Sequence, residues 1–197
     1  MKRWVVTLSL VLISFWWTFV IIWQPGVVHF VARLTYPDTA ASQVARERAI
    51  QYSQLGSSGR NDIFFTANEL AHLDDVSKIY KPLSFVLNFA TILSWGILLL
   101  AVHQKNNLRV SLNLASKILA GIVGLGLISV LLFTNSFVLF HEVLFPAGNW
   151  AFPASSYLIA IFPEIFWRLE LVVIVLLLSA FSLVYRLLAL YGINKEK

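Results

Sequence analysis

Long uncharged apolar runs, separated by polar segments, dominate the chain. Residues 4–23 form twenty consecutive positions without a charged side chain, and two more such runs follow at 83–102 and 118–140. A fourth run is shorter, but its flanks extend it as far as Arg186, whose long side chain can reach the interface. About 20 helical residues cross a hydrocarbon core of about 30 Å. The pattern therefore predicts four transmembrane helices, over about 4–23, 83–102, 118–140 and 165–187.

Basic residues are concentrated on one side of these predicted helices. With the N-terminus inside, the inner segments and the span ends next to them contain eight Lys and Arg residues against one acid, whereas the outer segments and the span end next to them contain seven against nine acids. Cytoplasmic loops of membrane proteins are enriched in Lys and Arg. We therefore expect both termini and the loop 103–117 in the cytoplasm, and segments 24–82 and 141–164 on the outer side.

The composition agrees with a membrane protein and excludes other classes. Of the 197 residues, 58% are hydrophobic and 13% charged, which leaves too little polar surface for a soluble domain. The net charge of +5 does not indicate a nucleic-acid partner, because the basic residues flank the apolar runs. The absence of cysteine excludes disulfides and thiolate metal sites. We expect a single all-α membrane domain over 1–197, with the outer segments forming a helical extracytoplasmic cap.

The first outer segment contains two helix signals. Residues 39–52 are rich in helix formers, and Gly56 and Gly59 follow as breakers. Farther on, Thr66 and Glu69 have the spacing of a capping box, and Phe65 and Leu70 that of a hydrophobic staple. We expect the capped helix to run to about residue 81, where Pro82 interrupts it.

Two of the four histidines are candidates for chemistry. His72 lies on the capped helix with Glu69 and Asp75 three residues away on either side, so both carboxylates can reach its ring. An ordinary surface histidine in a charged helix fits the same pattern. His141 ends the third run at the outer interface, where an ionisable residue indicates function or an interfacial anchor. The predicted topology places both on the outer side, excludes His103, and leaves His29 as an interfacial residue.

The second outer segment adds three further candidates. Asn149 and Trp150 lie in a Gly/Pro turn between bulky aromatics, where the amide either braces a histidine, donates to an oxyanion or simply forms the turn. Glu164 follows Pro163, a pair suited to a helix N-terminus, although the carboxylate could also bind a cationic amine. The sequence has no Gly-x-Ser-x-Gly elbow, phosphate loop or His-Glu-x-x-His pair, and no charge near the middle of a span.

Two separated stretches together resemble one family. Glu69-Leu70-Ala71-His72-Leu73-Asp74-Asp75-Val76 is the first. The second runs from Phe140-His141-Glu142 through Asn149-Trp150-x-Phe152 to Phe162-Pro163-Glu164-x-Phe166. Their order, spacing and predicted side of the membrane resemble the lipoprotein intramolecular transacylases (Lit) of Gram-positive bacteria. Where the family tends to have an acid before the Leu158-Ile159 pair, this chain has Ser156 and Tyr157.

The resemblance implies a reaction and a site. The family moves one acyl chain of a lipoprotein's N-terminal diacylglyceryl-cysteine from the glyceryl ester to the α-amino group, giving the lyso form, at the outer face of the bacterial cell membrane. It implies catalysis by His72 and His141, without metal or cofactor, on a lipoprotein substrate within membrane lipid. Because acidic neighbours raise the basicity of a histidine, we expect His72 to be the base and His141 the acid, although the sequence leaves the reverse assignment open. Supporting roles are expected for the following residues: Glu69, Asp75, Asn149, Trp150 and Glu164.

Two alternatives from other classes stay open at this point. The same histidines could serve a membrane hydrolase or acyltransferase that acts on phospholipid, with water or another acceptor. A non-enzymatic membrane protein whose cap binds a partner would also have this layout.

Overall fold

A computed structural model describes residues 2–35, 39–57, 61–102 and 105–194, and every regular element in these residues is an α-helix. The first four helices are α1 (Arg3–Ile22), α2 (Pro25–Thr35), α3 (Ala40–Leu55) and α4 (Ala67–Ala101). The others are α5 (Lys105–Leu131), α6 (Phe133–Leu144), α7 (Tyr157–Ile161) and α8 (Glu164–Asn194). The all-α prediction is confirmed.

Four of the described helices are long and apolar enough to cross a membrane: α1, α4, α5 and α8. This number confirms the four predicted spans. Helix α4 has 35 residues, so it is about 52 Å long and exceeds the hydrocarbon core by about 20 Å. The charged part of α4 precedes Pro82, and its apolar part begins at Leu83.

The prediction that the capped helix ends near residue 81 is wrong. Helix α4 continues through Pro82, although proline lacks the N–H that would bond the carbonyl of Lys78. The residues that follow are apolar, and a backbone entering hydrocarbon must satisfy its own hydrogen bonds, which favours a helix from Leu83 onward. That requirement outweighs the cost of about 3 kcal/mol for an interior proline.

Two other predicted boundaries differ in the structure. The third predicted run is divided between α5 and α6 at Leu132, whose φ of −102° and ψ of 38° are not helical. His141 therefore lies on the short helix α6. Most of the segment predicted as a cytoplasmic loop, 103–117, belongs to the first turns of α5. His103 lies outside the described residues.

The chain forms two compact units, and the first consists of Met1–Ile22, Val86–Ile128 and Leu171–Lys197. It contains α1, most of α5, and the apolar parts of α4 and α8. Its core is formed by the buried side chains of Val6, Leu10, Val11, Ala101, Ala115, Leu119, Leu178 and Tyr185. The Tyr185 hydroxyl hydrogen-bonds the Ser14 hydroxyl at 3.0 Å and the Leu10 carbonyl at 3.1 Å, so this buried phenol is satisfied.

The second unit consists of Trp23–Phe85 and Ser129–Glu170 and contains both candidate histidines. Helix α3 starts at a capping box formed by Thr39 and Ser42, which confirms the predicted helix. It ends at Leu55, because Gly56 adopts a φ of +85° that other residues rarely tolerate. A Cβ at Gly56 would also lie 3.3 Å from both Asp74 Oδ1 and Ser77 Oγ.

Candidate active site

The capping box predicted at the start of α4 is present. The Thr66 N–H and hydroxyl donate to Glu69 Oε2 at 2.7 and 2.8 Å, and the Glu69 N–H donates to Thr66 Oγ1 at 3.3 Å. Phe65 and Leu70, the predicted staple pair, are both buried. The box fixes where α4 begins, and therefore which way His72, one turn farther along, projects.

Glu69 has a second role that the sequence did not indicate. Its Oε1 accepts the Ser156 hydroxyl at 2.5 Å and the Leu158 N–H at 2.9 Å, and the side chain is only 1% exposed. Burial alone would raise the pKa of this carboxyl, but its hydrogen bonds outweigh burial and hold the pKa below its usual value. Glu69 thus binds α7 to the start of α4, and we call its four accepted bonds the Glu69 clasp.

The Glu69 clasp corrects the expected contact between Glu69 and His72, and it explains the departure from the family pattern at Ser156. Glu69 was expected to flank the His72 ring, but both of its oxygens are engaged by Thr66 and the α7 N-terminus. Ser156, at a position where the family tends to have an acid nearby, is the N-cap of α7 and donates to Glu69. A hydroxyl facing a carboxylate therefore orients the second segment in this chain.

His72 lies in an aromatic enclosure. Its ring is 4.9 Å from that of Phe145 and 5.6 Å from that of Phe152, both nearly perpendicular to it. The residue is 8% exposed, and its Nδ1 is buried without a hydrogen-bond partner among the described residues. A buried N–H without a hydrogen-bond partner is rarer than a buried acceptor without one. The unpaired Nδ1 is therefore the acceptor, and the hydrogen of the neutral ring lies on Nε2.

His141 lies beside His72, with ring centroids 6.2 Å apart. Its Nδ1 is 2.8 Å from the carbonyl oxygen of Phe137, one helical turn earlier. Because a carbonyl only accepts, Nδ1 carries the hydrogen, and Nε2 of the neutral ring has a free lone pair. The indole of Trp150 lies 5.0 Å from this ring and the ring of Phe145 lies 5.7 Å away.

Burial lowers the pKa of both histidines. The pKa of His72 falls from 6.5 to about 4, chiefly because burial disfavours the charged ring and secondly because of the neighbouring His141. Asp75 opposes this shift without overcoming it. Burial also lowers the pKa of His141, against the opposing hydrogen bond to Phe137. The acidic neighbour therefore acts in the expected direction, but the expected net rise in the basicity of His72 does not occur, because desolvation dominates.

Asp75 connects the first segment to the second. Its Oδ2 accepts the Asn149 side-chain amide at 2.5 Å, and its Oδ1 accepts the Lys78 ammonium at 2.6 Å. These two bonds, led by the one from Lys78, hold the pKa of Asp75 below its usual value. Asn149 thus positions the turn that carries Trp150, and one of its two amide hydrogens is already engaged.

Glu164 and His29 have partners of their own. Glu164 is the first residue of α8 and accepts from Thr134 at 2.9 Å and from Arg168 at 3.0 Å, which agrees with the helix N-terminus interpretation. His29 Nε2 lies 3.3 Å from Glu47 Oε1. In the described contacts, neither residue reaches His72 or His141.

The aromatic residues of the enclosure were missed by the sequence reasoning. Phe145 contacts both histidine rings, and Phe137 both packs on His141 at 4.0 Å and accepts its hydrogen. Phe137, His141 and Phe145 are spaced four residues apart, so they follow one face of a helical repeat. That spacing was a signal available in the sequence. Among the described residues, no three His, Cys, Asp or Glu side chains are grouped to hold a metal.

Four spans, with a buried and a half-buried histidine side by side, define a class, that of membrane-integral proteins with a histidine pair among aromatic side chains. A family profile described as lipoprotein intramolecular transacylase Lit matches residues 4–167. The chain belongs to the Lit family. It is a multi-pass membrane acyltransferase of lipoprotein modification.

Solved structures share the fold. The chain matches the membrane-integral lipoprotein intramolecular transacylase Lit from Bacillus cereus with 20% identity and a TM-score of 0.72, over 98% of this chain and 95% of that one. A form of the same protein with one histidine changed to alanine matches with 21% identity and a TM-score of 0.66, over 98% and 93%. A third structure, of the same protein with one histidine changed to arginine, matches with 21% identity and a TM-score of 0.64, over 98% of this chain and 91% of that one. No curated protein sequence matches the chain.

Proposed function

We propose that the chain moves one acyl chain from the glyceryl ester to the α-amino group of the N-terminal diacylglyceryl-cysteine of a lipoprotein. The product is the lyso form, with an N-acyl group and an S-monoacylglyceryl group. The observation that carries the proposal is the enclosed pair of His72 and His141, whose rings are 6.2 Å apart. We place the pair at the outer face of the bacterial cell membrane, with both termini in the cytoplasm.

The reaction needs a base and an acid but no net supply of protons. The amine nitrogen attacks the ester carbonyl and loses a proton, the C–O bond breaks, and the glyceryl oxygen gains a proton. An amide and a free hydroxyl replace an ester and an amine. Because donor and acceptor belong to one cysteine, holding them together supplies catalysis by proximity, worth about 7–11 kcal/mol in well-oriented cases.

His141 suits the role of base. Its hydrogen bond to Phe137 directs the lone pair of Nε2 away from the helix, where it can accept a proton from the attacking amine. The same bond stabilises the protonated ring, since Nδ1–H remains paired while the charge is present. The proton can then pass to the leaving glyceryl oxygen.

His72 suits the role of a neutral hydrogen-bond donor. A pKa of about 4 keeps its ring uncharged at neutral pH, and Nε2–H is then available to a developing oxyanion or alkoxide. These assignments reverse the roles expected from the sequence, where the acidic neighbours suggested that His72 is the base. The reason is the aromatic burial of His72, which no neighbouring carboxylate offsets.

The remaining predicted residues position the pair. The Glu69 clasp and the Asp75–Asn149 bond each join the region of α4 around His72 to the segment after His141. Trp150 packs against the His141 ring. We propose that segments 24–82 and 141–164 form an extracytoplasmic cap of one membrane domain, with Glu164 as a helix-terminal residue at its edge.

Mass spectrometry of lipoprotein N-termini tests the proposal in cells that express the chain. Lyso-form peptides are expected for the wild type. His72→Ala and His141→Ala should each lower their formation by about 10²-fold or more, and the double variant should be little worse, because residues acting as a unit are non-additive. His29→Ala is the matched control and should be silent.

Other outcomes identify the alternatives. Release of free fatty acid without N-acylation would indicate a phospholipid hydrolase, and an unchanged lipid profile would indicate a non-enzymatic role. Full activity of either folded single variant would remove that histidine from the mechanism.

A further inference from the structure

A groove in the first unit lies on the seam between α5 and α8, and the mechanism does not use it. It has a volume of about 380 Å³. Its lining residues are Ser116, Lys117, Ala120, Val123, Ser179, Ser182, Leu183 and Arg186. None of these eight is acidic, and two are cations.

Hydrogen bonds and a close helix–helix contact join α5 and α8 along the seam. The Ser182 hydroxyl donates to the Ser116 carbonyl of the neighbouring helix at 2.8 Å, and the Arg186 guanidinium donates to the Asn113 side chain. Farther along the seam, a Cβ at Gly126 would lie 2.7 Å from Val175 Cγ2, so the two helices touch there through a glycine.

The polar groups of the groove have a defined chemistry. All three serine hydroxyls already donate to backbone carbonyls, those of Asn113, Val175 and Ser116. Their oxygens keep lone pairs and act as acceptors. Hydrogen-bond donors for an anion come from Lys117 and Arg186, since Asn113 engages only one of the guanidinium nitrogens. The groove thus offers positive charge at one end and hydroxyl acceptors beside it.

We infer that this groove binds an anionic phospholipid with a hydroxyl-bearing headgroup, of the phosphatidylglycerol type. The phosphodiester would lie between Lys117 and Arg186, the headgroup hydroxyls would donate to serine oxygens, and an acyl chain would lie along Val123 and Leu183. By the charge bias, this end of the helices faces the cytoplasm, where basic sites between membrane helices meet anionic lipid. The inference is independent of the acyl transfer.

Native mass spectrometry of the full-length protein in detergent, titrated with phosphatidylglycerol or phosphatidylcholine, tests this inference. The wild type should retain phosphatidylglycerol about 25-fold better than phosphatidylcholine, given about fivefold for each of the two basic residues near the anionic group. Lys117→Gln with Arg186→Gln should abolish the preference. The matched control, Lys2→Gln with Arg3→Gln, removes the same charge outside the groove and should preserve it.

A second double variant, which keeps both positive charges, shows whether a loss of lipid binding is due to misfolding. Lys117→Arg with Arg186→Lys should bind phosphatidylglycerol within about threefold of the wild type. Equal binding of the two lipids by the wild type would overturn the inference. So would an equal loss in the control pair, or an undiminished preference in the Lys117 and Arg186 double variant.

Discussion

The Glu69 clasp allows a quantitative prediction for one substitution, Glu69→Gln. Each carboxylate oxygen accepts one hydroxyl and one backbone N–H, from Thr66 on one side and from Ser156 and Leu158 on the other. Glutamine replaces one oxygen with an NH₂ group. A hydroxyl can rotate to accept from that group, but a backbone N–H cannot, so one buried N–H loses its partner.

The expected cost follows from these bonds. An unsatisfied buried donor costs about 1–3 kcal/mol, and exchanging charge-assisted for neutral bonds costs about 1 kcal/mol more. We therefore expect a loss of about 2–4 kcal/mol in the free energy of unfolding, which lowers Tm by about 5–10 °C for a chain of this size. Acyl transfer should fall as well, because α7 would no longer be held to the helix that carries His72.

Thermal unfolding of the purified protein in detergent measures this effect. Glu47→Gln is the matched control, because its carboxylate is 60% exposed and its loss should change the stability by less than about 0.5 kcal/mol. If Glu69→Gln lowers Tm no more than Glu47→Gln does, the clasp is not a stabilising element and the reasoning fails.

Two further predictions concern protonation and topology. The folded-state pKa of His72 lies below its unfolded value, so its contribution to stability is complete above about pH 6.5 and up to about 3 kcal/mol is lost as the pH falls toward 4. Between pH 6.5 and pH 4, the Tm of His72→Phe should therefore fall less than the Tm of the wild type. Equal falls in Tm would contradict the proposal that the His72 ring is buried and neutral. For topology, reporter fusions at Asn107 and Lys197 should read cytoplasmic, and those at Ser57 and Ala154 external. An external signal at Asn107 would place both histidines on the wrong side.

Local hydrogen bonding explains which predictions near the site succeeded. The capping box at Thr66 and Glu69 involves residues three apart, so the sequence contained everything needed to predict it. The bonds from Ser156 and Leu158 to the same carboxylate join residues almost ninety positions apart. Residue spacing cannot reveal such long-range pairs. The sequence therefore predicted that Glu69 also contacts His72, whereas the structure pairs it with Ser156 and Leu158.

Helix boundaries show the same division between local and environmental causes. Proline disfavours a helix by local sterics, which predicted an end near residue 81, but the apolar run after Pro82 requires a continuous helix. The break at Leu132 has no comparable marker, because neither Pro nor Gly lies there and its immediate neighbours, Leu131 and Phe133, are apolar. Only the folded backbone places His141 on a separate short helix.

The sequence by itself determined the class of protein, because twenty-residue apolar runs and their flanking charges report directly on the membrane as a solvent. It also identified His72 and His141 as candidates. Tertiary structure alone decided their electrostatics, since burial among aromatic side chains lowers both pKa values, against the pull of Asp75 on His72 and of the Phe137 carbonyl on His141. Desolvation depends on everything that surrounds a side chain, and distant segments supply those surroundings.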